Sequence, residues 1–170
     1  MLKDKIRIII CGPDLVGKTN IAAELSRVSG VPVYKSGREH KLFNEKDAQY
    51  NVLKWGVYEV LRLVEVCDLS IIFDRSFTCE YVYSKVYKRN SDDGLVREYD
   101  RWWDSLDGKI VFLDKPKMDG KDELINPEKY DEIRTRYEDY KKITQCKHLT
   151  IDTSDYDIYK QVNTIIEFVK

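Results

Sequence analysis

Five short runs of apolar residues recur along the chain, and segments with helical spacing separate them. The runs cover residues 6–11, 31–37, 69–74, 108–114 and 147–152. Continuous apolar runs of this length are typical of strands that are covered on both faces. The pattern therefore predicts five strands.

The segments between the runs place apolar residues three and four positions apart, which is the spacing of one helix face. The first such stripe ends at Gly30, a residue type that commonly ends helices. Further helices are predicted at about 47–66, 76–90, 95–106 and 127–144, followed by a last stripe from Ile158 to Val169. Strands that alternate with helices predict an α/β fold with a five-stranded parallel sheet between two layers of helices. Ligands of such folds bind at the carboxyl ends of the strands.

Composition bounds the class of protein. The 170 residues fit a single domain, residues 1–170, and 29 basic against 30 acidic residues give a net charge of −1. This balance lacks the basic surplus of general nucleic-acid binding and weighs against a nucleic-acid partner, although a local basic cleft stays open. The N-terminal apolar run is too short for a signal peptide or a membrane span. We expect no membrane partner.

The cysteines are scattered and form no C-x-x-C pair. They are Cys11, Cys67, Cys79 and Cys146. We interpret all four as reduced thiols, which indicates a cytosol-like compartment and predicts a cytoplasmic protein.

The stretch GPDLVGKT follows the first predicted strand and opens the first predicted helix. It fits the P-loop pattern G-x-x-x-x-G-K-[ST], and a chance match is disfavoured by this strand–loop–helix context. The glycines allow successive backbone N–H groups to hold phosphate oxygens, Lys18 supplies a charge for the β- and γ-phosphates, and the Thr19 hydroxyl is a Mg²⁺ ligand. The motif predicts binding of ATP and Mg²⁺ by Gly12, Pro13, Asp14, Leu15, Val16, Gly17, Lys18 and Thr19.

The third strand delivers Asp74 and Arg75 to the same edge of the sheet, in the stretch IIFDRSF. A carboxylate there can hold Mg²⁺ or its water or act as a base, and a guanidinium can grip a phosphate with its planar fork. Taken alone, the two residues would better fit an ion pair or a helix cap at a strand end. With no N-K-x-D base-reading motif and too little chain for a large ATPase, the P-loop together with Asp74 and Arg75 favours a small kinase of the three-layer P-loop NTPase fold.

These elements resemble the thymidylate kinase family of nucleoside monophosphate kinases and its deoxynucleoside kinase relatives over nearly the whole chain. The resemblance rests on GPD in the P-loop, DRS at residues 74–76 and YDEIRTRYEDY at residues 130–140. It implies that Asp14 receives the sugar 3′-hydroxyl and that Arg75 and Arg38 bind the acceptor phosphate. It also leaves a homodimer open, because members of the family are often dimers.

The resemblance further implies an aromatic residue that stacks on the acceptor base. Tyr50 lies outside the apolar stripe of the second long helix and is the stronger candidate. Trp55 is the other candidate, but its place between Leu53 and Val57 fits a core position better.

The chain departs from the family in its cations. Thymidylate kinases carry a catalytic arginine after the P-loop aspartate or in the lid, whereas this chain has Leu15 in the P-loop. Its expected lid, residues 115–126, offers only lysines: Lys115, Lys117 and Lys121. Arg134 and Arg136 follow in the next helix, and one of them is expected to approach ATP when the lid closes.

The resulting expectation is an ATP- and Mg²⁺-dependent kinase that phosphorylates a deoxynucleoside monophosphate, most simply a pyrimidine one. Lys18, Asp74, Arg75 and Asp14 would carry the catalysis, with Thr19 and Asp74 at the metal. Two alternatives remain open. One is a kinase for a free nucleoside or for a hydroxyl in DNA, at an end or on a modified base, and the other is a regulatory protein that binds nucleotide without turnover.

Overall fold

The computed structural model describes residues 5–36, 48–118 and 127–170. Within these ranges one sheet contains five strands, all parallel, in the order β2-β3-β1-β4-β5. The strands are β1 (Arg7–Cys11), β2 (Val33–Lys35), β3 (Ile71–Asp74), β4 (Lys109–Asp114) and β5 (His148–Asp152). All five predicted strands and the three-layer P-loop NTPase fold are therefore confirmed.

Helices connect the strands. They are α1 (Lys18–Ser29), α2 (Ala48–Asn51), α3 (Tyr58–Val66), α4 (Phe77–Val86), α5 (Asp93–Ser105), α6 (Pro127–Lys141) and α7 (Ile158–Val169). A π-helical segment, Val52–Val57, joins α2 to α3, so the predicted long helix is one helical stretch with a change of winding. Gly30 ends α1 in the left-handed conformation and donates its N–H to the Ser26 carbonyl, as its residue type predicted.

The central strand β1 explains the isoleucine run of the sequence. Ile9 and Cys11 belong to the core cluster on one face of the sheet, together with α4, α5 and α6. Ile8 and Ile10 belong to the cluster on the other face, together with α1 and α7. A strand covered on both faces needs apolar residues at successive positions, which is the reason for an unbroken run.

Two parts of the chain that carry predictions lie outside the described residues. They are residues 37–47, which contain Arg38, and residues 119–126, which contain Lys121 and most of the predicted lid. The limits of the lid and the single-domain organisation remain predictions. No helix in the described ranges is long and apolar enough to cross a bilayer.

Asp100 ties α5 to the segment that leads into β5. Its carboxylate is buried and accepts hydrogen bonds from the Tyr140 hydroxyl (2.7 Å), the Thr144 hydroxyl (2.6 Å) and the Gln145 backbone N–H (2.8 Å). Three donors converge on one acceptor group, so the junction between α5 and the end of α6 depends on its negative charge.

Replacing Asp100 by asparagine should lower the free energy of unfolding by about 1–3 kcal/mol, because an amide NH₂ would then face hydrogen-bond donors in a buried site. Urea unfolding followed by circular dichroism measures the change. The control is Asp104→Asn on the exposed side of the same helix, which should stay within about 0.5 kcal/mol of the wild type. Equal losses in the two variants would contradict this account.

Candidate active site

The loop between β1 and α1 is shaped by backbone that favours glycine. Gly12 has φ of 146°, and a Cβ there would lie 2.2 Å from the carbonyl oxygen of Leu113 on β4. Gly17 has φ of 87° at the start of α1, and Leu15 between them also has a positive φ of 64°. The loop therefore wraps tightly over the carboxyl ends of β1 and β4, at the N-terminal end of α1, where a helix favours anions.

Lys18 folds back over this loop. Its side chain is buried, and Nζ donates to the carbonyl oxygens of Gly12 (2.9 Å) and Pro13, with a carboxylate oxygen of Asp14 at 3.6 Å. Burial lowers the pKa of Lys18 and the nearby Asp14 charge partly opposes that shift. The ammonium group thus has two carbonyl oxygens as acceptors in a position that water does not reach. Phosphate oxygens would take over these positions if a nucleotide bound.

Asp74 lies at the centre of the site. It is 1% exposed and stands opposite Ile10 in the register of β1 and β3. Thr19 at the start of α1 donates its hydroxyl to Oδ2 of Asp74 at 2.8 Å. Among the described residues, Oδ1 of Asp74 accepts no hydrogen bond.

This arrangement fits a magnesium ion. A carboxylate oxygen without a protein partner, beside a threonine hydroxyl, is the hard oxygen set that Mg²⁺ prefers. The described residues contain no group of three or more His, Cys, Asp or Glu side chains that could hold a metal by themselves. The ion would therefore complete its shell with waters and nucleotide oxygens, as Mg²⁺ usually does.

Arg75 turns from the end of β3 toward the P-loop. Its backbone has a positive φ of 72°, and its N–H donates to the Ile10 carbonyl at 3.1 Å. Nη2 then donates to Oδ1 of Asp14 at 2.8 Å, while the Tyr83 hydroxyl donates to Oδ2 at 2.9 Å. Asp14 and Arg75, two predicted site residues, are thereby brought into direct contact.

Tyr83 is a site residue that the sequence analysis missed. Burial and the Asp14 carboxylate both raise the pKa of its hydroxyl, so it stays protonated and acts as a donor to Asp14. Glu80 and Tyr83 are three positions apart and share one face of α4, but Asp14 lies 69 positions from Tyr83, so no local pattern predicted their contact.

The same face of α4 leads to a second group of polar residues that the sequence analysis did not identify. Glu80, Arg89 and Ser91 each bury a side-chain oxygen or nitrogen atom that has no hydrogen-bond partner among the described residues. Burial raises the pKa of Glu80, and the Arg89 charge partly counters this. An open cleft of about 660 Å³ adjoins Arg89 and Ser91, and its lining comprises Tyr50, Ser84, Lys85, Lys88, Arg89, Ser91, Asp92 and Asp93.

Tyr50 and Trp55 have different surroundings. Tyr50 lines the cleft next to Arg89, which suits its predicted contact with an acceptor base. Trp55 is 52% exposed, so the core position favoured for it is wrong. The reason is helix spacing: Trp55 is two positions from both Leu53 and Val57, so it projects from the opposite face, beneath the Lys54 ammonium group, while those two stay buried.

The two arginines of α6 are occupied elsewhere. Arg134 grips both oxygens of Asp114 with Nε at 2.7 Å and Nη2 at 2.9 Å, which lowers the pKa of that carboxyl. Arg136 lies 3.8 Å from Glu132 and 3.9 Å from Asp139 on its own helix. The predicted approach of either arginine to ATP remains a prediction.

A cavity of about 180 Å³ lies on the far side of the P-loop from Asp74. It is lined by Leu15, Val16, Gly17, Asn20, Ile21, Lys115, Thr153, Tyr156, Ile158 and Gln161. Lys115 is buried and its ammonium group lies 3.9 Å from the centre of the Tyr156 ring. A flat ring, a cation and the P-loop backbone thus meet in one place, which is a suitable environment for a nucleotide base.

Comparison with solved structures places the fold among nucleotide kinases. The YorR protein of Bacillus subtilis, solved with phosphorylated GDP, has a TM-score of 0.66 at 20% identity, over 95% of this chain and 94% of that chain. Thymidylate kinase from Ehrlichia chaffeensis has a TM-score of 0.65 at 16% identity, over 98% and 100% of the two chains. Deoxyadenosine kinase from M. mycoides, solved with dCMP and dCDP, has a TM-score of 0.58 at 19% identity, over 95% and 97%. No protein-family model and no curated protein sequence matches the chain.

The buried Glu80 carboxyl generates a prediction about pH. Its pKa is raised in the folded chain above the ordinary value of 4.5, so the folded state keeps its proton to higher pH than the unfolded state. Stability from this proton is complete below the unfolded pKa and is lost as pH rises through the folded pKa. Replacement by glutamine removes that loss, so Glu80→Gln should gain stability relative to the wild type between pH 4.5 and 8.

Thermal unfolding at several pH values between 4.5 and 8 measures this difference. The control Glu98→Gln changes an exposed carboxylate on α5. Its unfolding temperature should differ from that of the wild type by the same amount at every pH. If the difference in unfolding temperature between Glu80→Gln and the wild type does not change with pH, the raised pKa of the buried Glu80 carboxyl is contradicted.

Proposed function

We propose that the chain is an ATP- and Mg²⁺-dependent kinase that transfers a phosphoryl group to a deoxynucleoside monophosphate. The observation that carries the proposal is the convergence of Lys18, Asp74 and Arg75 on the P-loop, with Thr19 and Asp74 in contact at 2.8 Å. Phosphoryl transfer needs little from a protein beyond this positioning and charge neutralisation. The nucleotide kinases among the structural neighbours support the same class of reaction.

On the donor side, the loop amides and Lys18 would hold the triphosphate. Lys18 would exchange the carbonyl oxygens of Gly12 and Pro13 for phosphate oxygens. The donor base would occupy the cavity beside Lys115 and Tyr156. Thr19 and Asp74 would hold Mg²⁺, which when bound neutralises the charge on the transferring phosphoryl oxygens.

On the acceptor side, Arg75 would bind the acceptor phosphate from a position that Asp14 fixes at 2.8 Å. Arg38, outside the described residues, is proposed as the second phosphate ligand. The acceptor base would lie in the cleft lined by Tyr50, against the unpartnered polar atoms of Arg89 and Ser91. The proposal of a pyrimidine base follows from the resemblance to thymidylate kinases.

A free deoxynucleoside is the second candidate acceptor, and the Arg75–Asp14 ion pair favours it. A guanidinium that already contacts a carboxylate has less charge to offer to a phosphate. The deoxyadenosine kinase among the structural neighbours agrees with this alternative. ADP release measured over a panel of nucleosides, monophosphates and oligonucleotides separates the two acceptors, and it also tests a DNA hydroxyl and a protein that binds nucleotide without turnover.

Lys18→Met should lower turnover by a factor of at least ~10³, because the transition state loses a positioned charge. Methionine fills most of the buried space of the lysine stem, so the fold should persist. The measurement is ADP release under saturating substrates, with circular dichroism to confirm folding. Lys142→Met, at an exposed lysine, is the control and should keep wild-type turnover. Turnover close to wild type in Lys18→Met would refute the role of the P-loop in catalysis.

Arg75→Ala distinguishes the two acceptors. Arg75 would hold an acceptor phosphate equally in the ground state and in the transition state. Loss of the Arg75 side chain should therefore mainly raise KM for the acceptor. A charge-assisted contact of ~2–3 kcal/mol predicts an increase of roughly 30- to 150-fold, with much less change in KM for ATP. Steady-state kinetics with both substrates varied gives these constants, and Arg101→Ala on the exposed side of α5 is the control. A fall in kcat with unchanged acceptor KM would contradict the monophosphate acceptor and favour the nucleoside.

A further inference from the structure

Lys35 lies beside the two residues that fit the metal. It is the last residue of β2, and the register of the parallel pair sets it directly opposite Asp74 on β3. Its Nζ lies 3.7 Å from Oδ2 of Asp74 and 3.5 Å from the Thr19 hydroxyl oxygen. The side chain is 42% exposed, whereas Asp74 is 1% exposed. A mobile ammonium group therefore reaches a buried carboxylate from the solvent side.

In the chain without metal, Lys35 has the role of a counter-ion. A buried carboxylate without compensating charge is strongly unfavourable, and the Thr19 hydroxyl supplies only one neutral hydrogen bond to Asp74. Among the described ion pairs, the one that reaches Asp74 comes from Lys35. Its place in the β2–β3 register makes this contact a property of the sheet and not of a loose surface chain.

A divalent cation on the same oxygens would conflict with this contact. An ammonium group and Mg²⁺ within about 4 Å repel each other strongly even with partial solvent screening. Binding of the metal would therefore expel Lys35 from Asp74. The stem is long enough to turn toward the phosphate oxygens that arrive with the metal at the same edge of the sheet.

The site has an opening for such a cation. Leu15 stands in the P-loop position where an arginine would reach the transferring group, and it carries no charge. Arg134 is engaged by Asp114, and Arg136 by Glu132 and Asp139. Of the basic residues the structure describes, Lys35 is already within 4 Å of both Thr19 and Asp74.

We propose that Lys35 alternates between two anions. Without metal it neutralises Asp74, and when a metal–nucleotide complex binds it turns to the phosphate oxygens and stabilises the charge of the transferring group. The second half of this proposal rests on the proposed kinase function, and the first half does not. Lys35 would thereby add a cation to those that Lys18 and Arg75 supply.

Removing Lys35 should have two opposite effects, which distinguishes this role from a structural one. Lys35→Met removes the cation that competes for Asp74, so metal should bind the nucleotide-free chain about tenfold more tightly or better. The same change removes a phosphate ligand, so kcat should fall by about 10²-fold or more. Lys35→Arg keeps the charge, so it should bind metal as weakly as the wild type and recover part of kcat.

Mn²⁺ is the probe for the first effect. Its electron paramagnetic resonance signal reports free ion, so a titration of the nucleotide-free chain gives the dissociation constant without any turnover. Asp74→Asn locates the ion, because Lys35→Met should no longer tighten binding in the Asp74→Asn background. Lys147→Met makes the same charge change at an exposed residue just before β5, the strand at the opposite edge of the sheet, and should leave Mn²⁺ affinity and kcat unchanged.

The outcomes separate the two proposals. Equal or weaker Mn²⁺ binding by Lys35→Met, or no measurable binding by either chain, would overturn the counter-ion role whatever the protein catalyses. Tighter binding with unchanged kcat would overturn the phosphate role. Tighter binding in a chain whose wild type phosphorylates no acceptor would support the counter-ion role, overturn the phosphate role and refute the proposed kinase function.

Discussion

The buried carboxylate of Asp74 is the constraint on which the site depends. A charge at 1% exposure must be compensated by groups within contact distance, because water cannot reach it. Thr19 supplies a hydrogen bond from α1, and Lys35 supplies a charge from β2. The P-loop helix and two strands therefore converge on one side chain. The parallel register of β3 with both β1 and β2 holds that convergence in place.

The backbone near Asp74 departs from regular structure directly after β1 and directly after β3. Gly12 leaves β1 with φ of 146°, close to β4, and Arg75 leaves β3 with φ of 72°. A positive φ is unfavourable for arginine, and such strain persists where surrounding contacts over-determine it. Here the contacts are the Arg75 N–H to Ile10 and its guanidinium to Asp14. The strain directs a cation toward the loop between β1 and α1.

Sequence patterns correctly predicted the features that depend only on residues close together in the chain. Continuous apolar runs identified the strands, Gly30 identified the end of α1, and the P-loop was read from a few adjacent residues. The exposure of Trp55 follows from helix spacing as well, because a residue two positions from both Leu53 and Val57 faces away from them, so the core interpretation relied too much on its apolar neighbours. Lys35 and Tyr83 were missed for a different reason. Their partners, Asp74 and Asp14, come from distant parts of the chain and meet only through strand register and helix packing.

The use of lysine rather than arginine beside Asp74 follows from the same geometry. Arg134 shows what a guanidinium does beside a carboxylate, because it grips both oxygens of Asp114 in a fork that resists release. An arginine in place of Lys35 could hold Asp74 in the same way and would be less free to turn to a phosphate. A lysine ammonium is a point charge on a flexible stem, and its contact at 3.7 Å can be exchanged for another anion. A cation that has to yield its carboxylate to a metal and then follow the phosphate is therefore better served by lysine.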